Sequence, residues 1–193
     1  MAAVPVVVFS DFACPFSYVT EAALRRMQAA GEVEPTHLAW ELYPAPAPLP
    51  SADEGGWMDA LRPLADELGI ALRVPTPVRT RKAHEAAAFA ASKGVGPAMR
   101  EALFAAHFAE GRDIGRIDVL VEIGAGLGLD ASELKVVLDV DAFSARVAAE
   151  QDAALRAGVE GVPTIVIGTG DEARWLVGAR PFAELRAAVL GGD

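Results

Sequence analysis

Cys14 is the single cysteine of this 193-residue chain, and its position suits nucleophilic chemistry. It follows the apolar run Val4–Ser10 after a short break, and Pro15, a residue typical of a first helical turn, comes next. Unpaired N–H groups and the positive end of a helix dipole stabilise a thiolate at such a position. We therefore expect a reactive thiol with a lowered pKa, although a lone cysteine is more often a small buried apolar side chain.

Ser17 lies three residues after Cys14, one helical turn along the chain. Two roles are open for this side chain. Its hydroxyl group can donate a hydrogen bond to the sulfur of Cys14, or it can help to cap the helix.

The spacing of apolar residues predicts the elements that position these side chains. Strands are expected at Val4–Ser10, Thr36–Tyr43, Thr164–Ile167 and Arg174–Val177, the last two forming a hairpin. Helices are expected from Pro15 to near Gly31, through Trp57 to Leu68 after a Ser51/Glu54 capping box, over Thr80–Ser92, Pro97–Ala109, Ile117–Ala125, Ala131–Leu138 and Phe143–Ala157, and from Pro181 to Gly191-Gly192. The order is βαβ, a helical block, then ββα, an α/β arrangement.

Two segments carry a family resemblance. Cys14-Pro15-Phe16-Ser17 after the first strand and Gly161-Val162-Pro163-Thr164 before the third resemble the active-site pair of thioredoxin-fold proteins. With the helical block between them, the chain is most similar to the FrnE-like subgroup of the DsbA family, which is related to 2-hydroxychromene-2-carboxylate isomerases and kappa-class glutathione transferases. The runs 81–84, 102–114 and 155–164 extend the likeness along nearly the whole chain.

The resemblance implies a thioredoxin-like domain, residues 1–50 and 158–193, with an all-α insertion domain at 51–157. It makes Cys14 the attacking thiol and Val162-Pro163 a cis-proline loop that holds an extended chain or a small thiol, with Pro15 and Phe16 in the binding site. The helical block is expected to form an apolar wall over the cysteine, suited to an aromatic or peptide substrate.

The chain departs from the Cys-x-x-Cys pattern at Ser17, so a mixed disulfide on Cys14 needs a second thiol from outside the chain. The first hypothesis is a monothiol oxidoreductase that uses glutathione or an equivalent small thiol on a disulfide-bearing protein or small molecule. The second is a glutathione-dependent isomerase or transferase in which Ser17 supplies a hydroxyl group. The third is a non-catalytic binding or chaperone-like protein that has lost the redox pair.

A cluster of cations follows the predicted Trp57 helix. Arg73, Arg79, Arg81 and Lys82 lie within ten residues that contain no acid. They are expected to form either an anion site for glutathione or an acidic substrate, or a solvated face. His84 comes next and is interpreted either as an imidazolium that lowers the Cys14 pKa or as an exposed helical histidine.

Composition excludes several classes of protein. The formal net charge of −10 disfavours nucleic acid and anionic membranes, and one cysteine excludes a disulfide scaffold. His37 and His107 lack partners at metal-ligand spacing, so neither a metal nor a tightly bound cofactor is expected. The first residues have neither the cationic start of a signal peptide nor a membrane-spanning length, which predicts a cytoplasmic protein. A homodimer is left open.

Overall fold

The computed structural model describes residues 2–51 and 56–191. In these ranges the chain forms strands β1 (Val4–Ser10), β2 (Val33–Ala39), β3 (Thr164–Ile167) and β4 (Arg174–Val177). The α-helices are α1 (Pro15–Ala29), α2 (Met58–Leu68), α3 (Arg81–Ser92), α4 (Gly96–Phe108), α5 (Ile117–Gly126), α6 (Ala131–Asp139), α7 (Ser144–Ala157) and α8 (Phe182–Leu190), with a short 3-10 turn at Gly170–Glu172.

The four strands form one mixed sheet in the order β2-β1-β3-β4. Strand β1 pairs in parallel with β2, from Val4 opposite Val33 to Ser10 opposite Ala39. It pairs antiparallel with β3, and β3 and β4 form the expected hairpin. The interior place of β1 accounts for its uninterrupted apolar run, since it is paired on both sides and its side chains from Val6 onwards are buried or half-buried on both faces.

Two apolar cores include residues of the elements that flank Cys14. One lies between the sheet and helices α1 and α8, where Met27, Ile165 and Leu185 are buried. The other fills the helical block, and it includes Phe12 and Tyr18 from either side of Cys14. The ring of Phe12 lies 4.9 Å from that of Phe104. Phe12 therefore fixes the cysteine loop to the core of the helical block, while β1 and α1 on either side of the loop contribute to the first core.

The second strand differs from its prediction. It spans Val33–Ala39 rather than Thr36–Tyr43, because beyond Trp40, whose N–H donates to the Ser10 carbonyl, side chains replace the strand ladder as hydrogen-bond partners. The N–H of Glu41 donates to Gln151 Oε1 and that of Leu42 to Asp11 Oδ2, at 2.5 and 2.7 Å. Apolar alternation continued past the last strand residue and so did not mark the end.

The remaining predicted elements are confirmed, with ends that shift by one or two residues, except that α2 begins at Met58, with Trp57 as its cap residue, and not directly after Ser51. Pro181 precedes α8 as its cap residue instead of opening it, and Gly191 ends that helix with a φ of 73°. Glu54 of the expected capping box and Gly192 lie outside the described residues.

Helix α2 packs against α1 and α8, although the predicted insertion begins at residue 51. The division into two domains therefore stays a prediction. Within the described ranges, none of the helices has the length and apolarity needed to cross a bilayer.

Candidate functional site

Cys14 caps the N-terminus of α1 with its own side chain. Its backbone is extended, with φ −96° and ψ 113°, and its sulfur accepts a hydrogen bond from the Ser17 N–H at 3.4 Å. The Cys14 N–H donates to the carbonyl of Asp11 at 3.1 Å, which holds the loop in place. The capping role that was open for Ser17 therefore belongs to Cys14.

The loop before β3 lies directly against the thiol. Cys14 Sγ is 3.4 Å from the carbonyl oxygen of Val162, to which the S–H donates, and the Val162–Pro163 peptide bond is cis. The Gly178 N–H donates to the Pro163 carbonyl at 2.9 Å, which ties this loop to the end of β4. The structure thus brings together the two segments that carried the resemblance.

The expected lowering of the Cys14 pKa is wrong in this structure. Burial raises the pKa of the thiol, and hydrogen bonds from the hydroxyl and the N–H of Ser17 lower it by less; the Asp11 carboxylate raises it further. Cys14 is 4% exposed, so the cost of removing a thiolate from water outweighs the stabilisation at the helix end. The resting thiol is protonated at neutral pH.

Ser17 is buried, and its hydroxyl group faces the cysteine loop from inside α1. It bonds to the Cys14 sulfur and also lies 3.5 Å from the backbone N–H of Asp11. Of the two roles considered for Ser17, the cap belongs to Cys14, and the hydroxyl bond to the sulfur stays the prediction for this side chain.

A cavity of about 330 Å³ opens over Cys14. The cysteine loop and the Val162 loop contribute Ala13, Cys14, Pro15, Phe16 and Val162 to it. The other walls carry aromatic and proline side chains, among them Tyr43, Trp57, Pro77 and Phe108. No Asp, Glu, Lys or Arg lines this cavity within the described residues, so it suits an apolar group next to the thiol.

His107 is a site residue that the sequence considered only as a metal ligand. It lines the Cys14 cavity, and its Nδ1 lies 3.3 Å from the Arg112 carbonyl. Burial lowers its pKa, so the ring is neutral at pH 7; Nδ1–H donates to the carbonyl and Nε2 is left as an acceptor. Its place in the run 102–114, which carried the resemblance, was the available signal.

His84 fits neither of its two interpretations. It is 4% exposed, and its Nε2 lies 3.3 Å from Asp11 Oδ1. It does not line the Cys14 cavity, so it acts on Asp11 rather than directly on the thiol. Asp11 is fully buried, and its other oxygen accepts the Leu42 N–H. A buried acid at the end of β1 was a further site residue that periodicity did not reveal.

The cations from residue 73 to 82 do not converge on one anion site. Arg81 pairs with the buried Glu41 at 2.5 Å and donates to the Ser144 carbonyl, away from the Cys14 cavity. Lys82 pairs with Glu85 and Asp141, while Arg79 donates to the carbonyls of Tyr43 and Ala47. Apart from Glu85, which is three residues from Lys82, these partners come from distant segments of the chain. Arg73 has an exposed side chain.

No group of three His, Cys, Asp or Glu side chains suited to a metal ion occurs in the part of the chain described.

Known proteins resemble this chain in sequence and in structure. The uncharacterized protein YwbO of Bacillus subtilis is 31% identical over 170 residues, which is 83% of this chain and 85% of the relative. A probable DsbA oxidoreductase from Streptomyces coelicolor superposes with a TM-score of 0.78 at 27% identity, covering 98% of this chain and 91% of that one.

Two further structures share the fold. A 2-hydroxychromene-2-carboxylate isomerase has a TM-score of 0.77 at 22% identity, covering 95% of this chain and 93% of its own. The cytosolic disulfide reductase DsbM of Pseudomonas aeruginosa, solved with GSH, has a TM-score of 0.70 at 20% identity, covering 98% of this chain and 94% of its own.

The family model for the DSBA-like thioredoxin domain matches residues 5–190. This match and the mixed sheet confirm the thioredoxin-like fold with helices inserted between β2 and β3, and the FrnE-like subgroup fits the same likenesses. The chain therefore belongs to the DSBA-like thioredoxin family of thiol oxidoreductases.

Proposed function

We propose that the protein is a monothiol thiol–disulfide oxidoreductase that uses a small thiol, glutathione or an equivalent, as co-substrate. The observation that carries the proposal is the placement of Cys14 at the N-terminus of α1, against the Val162 loop and on the wall of a cavity. With one cysteine in 193 residues, the second thiol of any redox cycle comes from outside the chain.

The reaction has two exchange steps. The Cys14 sulfur attacks the glutathione-side sulfur of a mixed disulfide between glutathione and a substrate; a new disulfide forms, and the substrate thiolate leaves with the proton of Cys14. A second glutathione thiolate then attacks the Cys14-bound glutathione, releasing glutathione disulfide and restoring the thiol. In sum, one substrate mixed disulfide is reduced to a thiol and one glutathione is oxidised to the disulfide.

The cavity supports a substrate with an apolar portion beside its sulfur. Trp57 and Phe108 belong to the helical block and face the cysteine loop across the cavity, so a bound aromatic group contacts two large rings. The DsbM structure determined with GSH supports glutathione as the co-substrate. We place the reaction in the cytoplasm, where small thiols stay reduced, and take a disulfide-bearing protein or small molecule as the partner.

Mass spectrometry after incubation with glutathione disulfide tests the first exchange step. We expect one glutathione adduct on the folded protein, and its loss when reduced glutathione is added. Cys14→Ser is the control, because it removes the only thiol and changes little else. A folded wild-type protein that forms no adduct across pH 7 to about 9 would exclude the monothiol mechanism and favour a non-catalytic, chaperone-like binding protein.

Trp57→Ala tests the cavity. We expect the rate of Cys14 with dibenzyl disulfide to fall by about tenfold, in line with the loss of one aromatic contact. The rate with methyl methanethiosulfonate, which is too small to need the wall, should change little. An equal loss with both reagents would mean that Trp57 supports the fold of the loop rather than the substrate.

A glutathione-dependent isomerase is the second candidate. The raised pKa of the buried Cys14 thiol favours it, because a protonated thiol is a poor nucleophile toward a disulfide, whereas this hypothesis needs only the hydroxyl group of Ser17. The likeness in fold to 2-hydroxychromene-2-carboxylate isomerase supports the same alternative. Isomerisation of 2-hydroxychromene-2-carboxylate that survives in Cys14→Ser would select this function, whereas reductase activity should be lost in that variant.

A further inference from the structure

A second cavity, of about 210 Å³, lies between the β2 edge of the sheet and helices α3, α4 and α7. None of its lining residues belongs to the Cys14 cavity. Its polar lining consists of His37, His84, Arg100, Arg146 and Glu150. The proposed thiol chemistry uses none of these side chains.

Two arginines line this cavity, and Arg100 is the buried one, whereas Arg146 is half exposed. It is 9% exposed; Nε and Nη2 donate to the two oxygens of Glu21 at 3.2 and 3.0 Å, and Nη2 also donates to Ser10 Oγ at 2.8 Å. The rings of Phe12 and Phe104 lie 5.2 and 5.9 Å from the guanidinium carbon. Nη1 makes no hydrogen bond to the described residues and is not sealed from solvent, so its two N–H donors are open to a ligand or to water.

We propose that this cavity binds a small organic carboxylate whose oxygens accept hydrogen bonds from Arg100 Nη1. The edge of a guanidinium group matches a carboxylate in shape and charge, and burial strengthens such a bond.

The other charges around the cavity are compatible with an anion. Both oxygens of Glu150 are occupied, by the Ala39 N–H and by Arg146 Nε, each at 2.8 Å. Glu21 pairs with Arg100 and lies 3.4 Å from His37, while His84 pairs with Asp11. The first turn of α4, a helix of 13 residues, holds no acid and opens onto the cavity at Gly96 and Pro97. The positive end of that helix dipole therefore adds to the attraction.

The apolar residues that line this cavity favour an organic carboxylate over inorganic phosphate. Ala87, Ala88 and Ala91 of α3 form an apolar wall, with Pro35 and Pro97 beside it. A short hydrocarbon body fits against these groups, whereas a fully polar anion would leave them unused and would lack donors for its remaining oxygens.

An NMR titration of the full chain with sodium butyrate, at constant ionic strength set with chloride, tests the proposal. We expect saturable shifts of the amides of Ala88 and Gly96, one binding site, and no saturation with n-butanol. Inorganic phosphate should bind about tenfold more weakly or not at all, since it gains nothing from the apolar wall.

Two variants separate binding from folding. Arg100→Gln removes the donor and should abolish saturation, but it also leaves Glu21 buried without its cation and can unfold the chain. Ala88→Leu fills part of the cavity and changes no charged residue. It should lower the affinity for butyrate by at least about tenfold, because the larger side chain occupies the space of the ligand. Ala187→Leu, on the exposed face of α8, is the matched control and should bind as wild type does. Shifts that do not saturate, or that persist unchanged in Ala88→Leu, would show that water fills this cavity and would overturn the proposal.

Discussion

The Cys14 thiol is subject to two opposed effects at a single position. Its location at the N-terminus of α1 gives the sulfur a backbone donor, the Ser17 N–H, while the neighbouring Val162 carbonyl accepts the S–H. Deprotonation keeps the first bond and turns the second contact into repulsion between an anion and a carbonyl oxygen. A substrate that displaces the carbonyl or adds a donor beside the sulfur is therefore needed to activate it.

The pH dependence of alkylation checks this description of the thiol. Because burial raises the Cys14 pKa, we expect the rate with iodoacetamide to keep rising with pH past the ordinary midpoint of a free thiol. Ser17→Ala should move the midpoint still higher, because it removes the hydroxyl bond but keeps the backbone N–H. Mass spectrometry of the single thiol follows the rate. A midpoint at about pH 7 or below would show that the helix end outweighs burial.

Ser17→Cys should restore dithiol chemistry. Position 17 is one helical turn from Cys14, and its backbone N–H already bonds to the sulfur, so the variant carries Cys-Pro-Phe-Cys with the second thiol in reach. We expect both thiols to become unreactive to maleimide after mild oxidation and to reappear after reduction. Val19→Cys, whose side chain is buried in α1 beyond that turn, is the control and should leave Cys14 reactive. Persistent reactivity in Ser17→Cys would mean that the loop cannot adopt the disulfide geometry.

At the scale of elements, Asp11 connects the pieces that form the site. Its carboxylate accepts N–H groups from Ala13 and from Leu42, and it faces His84 of α3. The end of β1, the segment after β2 and the helical block therefore share one buried side chain. The position of the Cys14 loop relative to the helical wall depends on this junction.

Asp11→Ala should lower the free energy of unfolding by about 3–5 kcal/mol, because it leaves buried donors without their acceptor. Asp130→Ala is a matched control: the Asp130 carboxylate caps α6 at an exposed position, accepting the Glu133 N–H at 2.8 Å, and its loss should cost about 0.5–2 kcal/mol. Urea denaturation followed by circular dichroism measures both. Equal losses in the two variants would show that Asp11 acts as a local turn residue only.

The sequence predicted elements well where apolar spacing and glycine agree. Helix α2 ends at Gly69 with a φ of 68°, and the run from Val4 becomes the central strand. The sequence patterns did not predict the hydrogen bonds and ion pairs for which distant segments of the chain supply the partner. Glu41, more than a hundred residues from Gln151, receives its backbone acceptor from α7, and Arg81 finds its acid at the end of β2. The spacing of residues within a short segment does not predict such pairs.

The candidate site was predictable as far as the two motifs reached. Cys14 and Val162 come together as the resemblance implied, because the β1–β3 pairing places the ends of both strands side by side. The pKa of the Cys14 thiol was not predictable from the sequence, because the burial of the thiol depends on how closely the helical block covers the loop. A single sequence indicates that Cys14 lies at the end of a helix, but it does not show how deeply the thiol is buried.

At the scale of the whole molecule, a group of ionisable side chains lies between the sheet and the helical block. Burial acts to raise the pKa of Glu21, but Arg100 and then His37 lower it more, so the carboxylate stays charged. Burial also lowers the pKa of His37 to about 4, and Arg100 lowers it in the same direction against the opposing effect of Glu21. A neutral imidazole on β2 therefore lies beside an ion pair between α1 and α4.

Acid should therefore destabilise the fold before the carboxylates titrate. The folded His37 pKa of about 4 lies below the ordinary 6.5, so between these values the unfolded chain binds a proton that the folded chain refuses. The contribution of the neutral His37 ring to the free energy of unfolding is complete above pH 6.5. It is lost as the pH falls toward 4, by at most about 3 kcal/mol. Urea unfolding at a series of pH values should show this slope in the wild type and a flatter curve in His37→Gln. Glu34→Gln, an exposed change on the same strand, should keep the wild-type slope. An unchanged slope in His37→Gln would assign the acid sensitivity to the net charge of the chain, because protonation of many surface carboxylates does not depend on one buried ring.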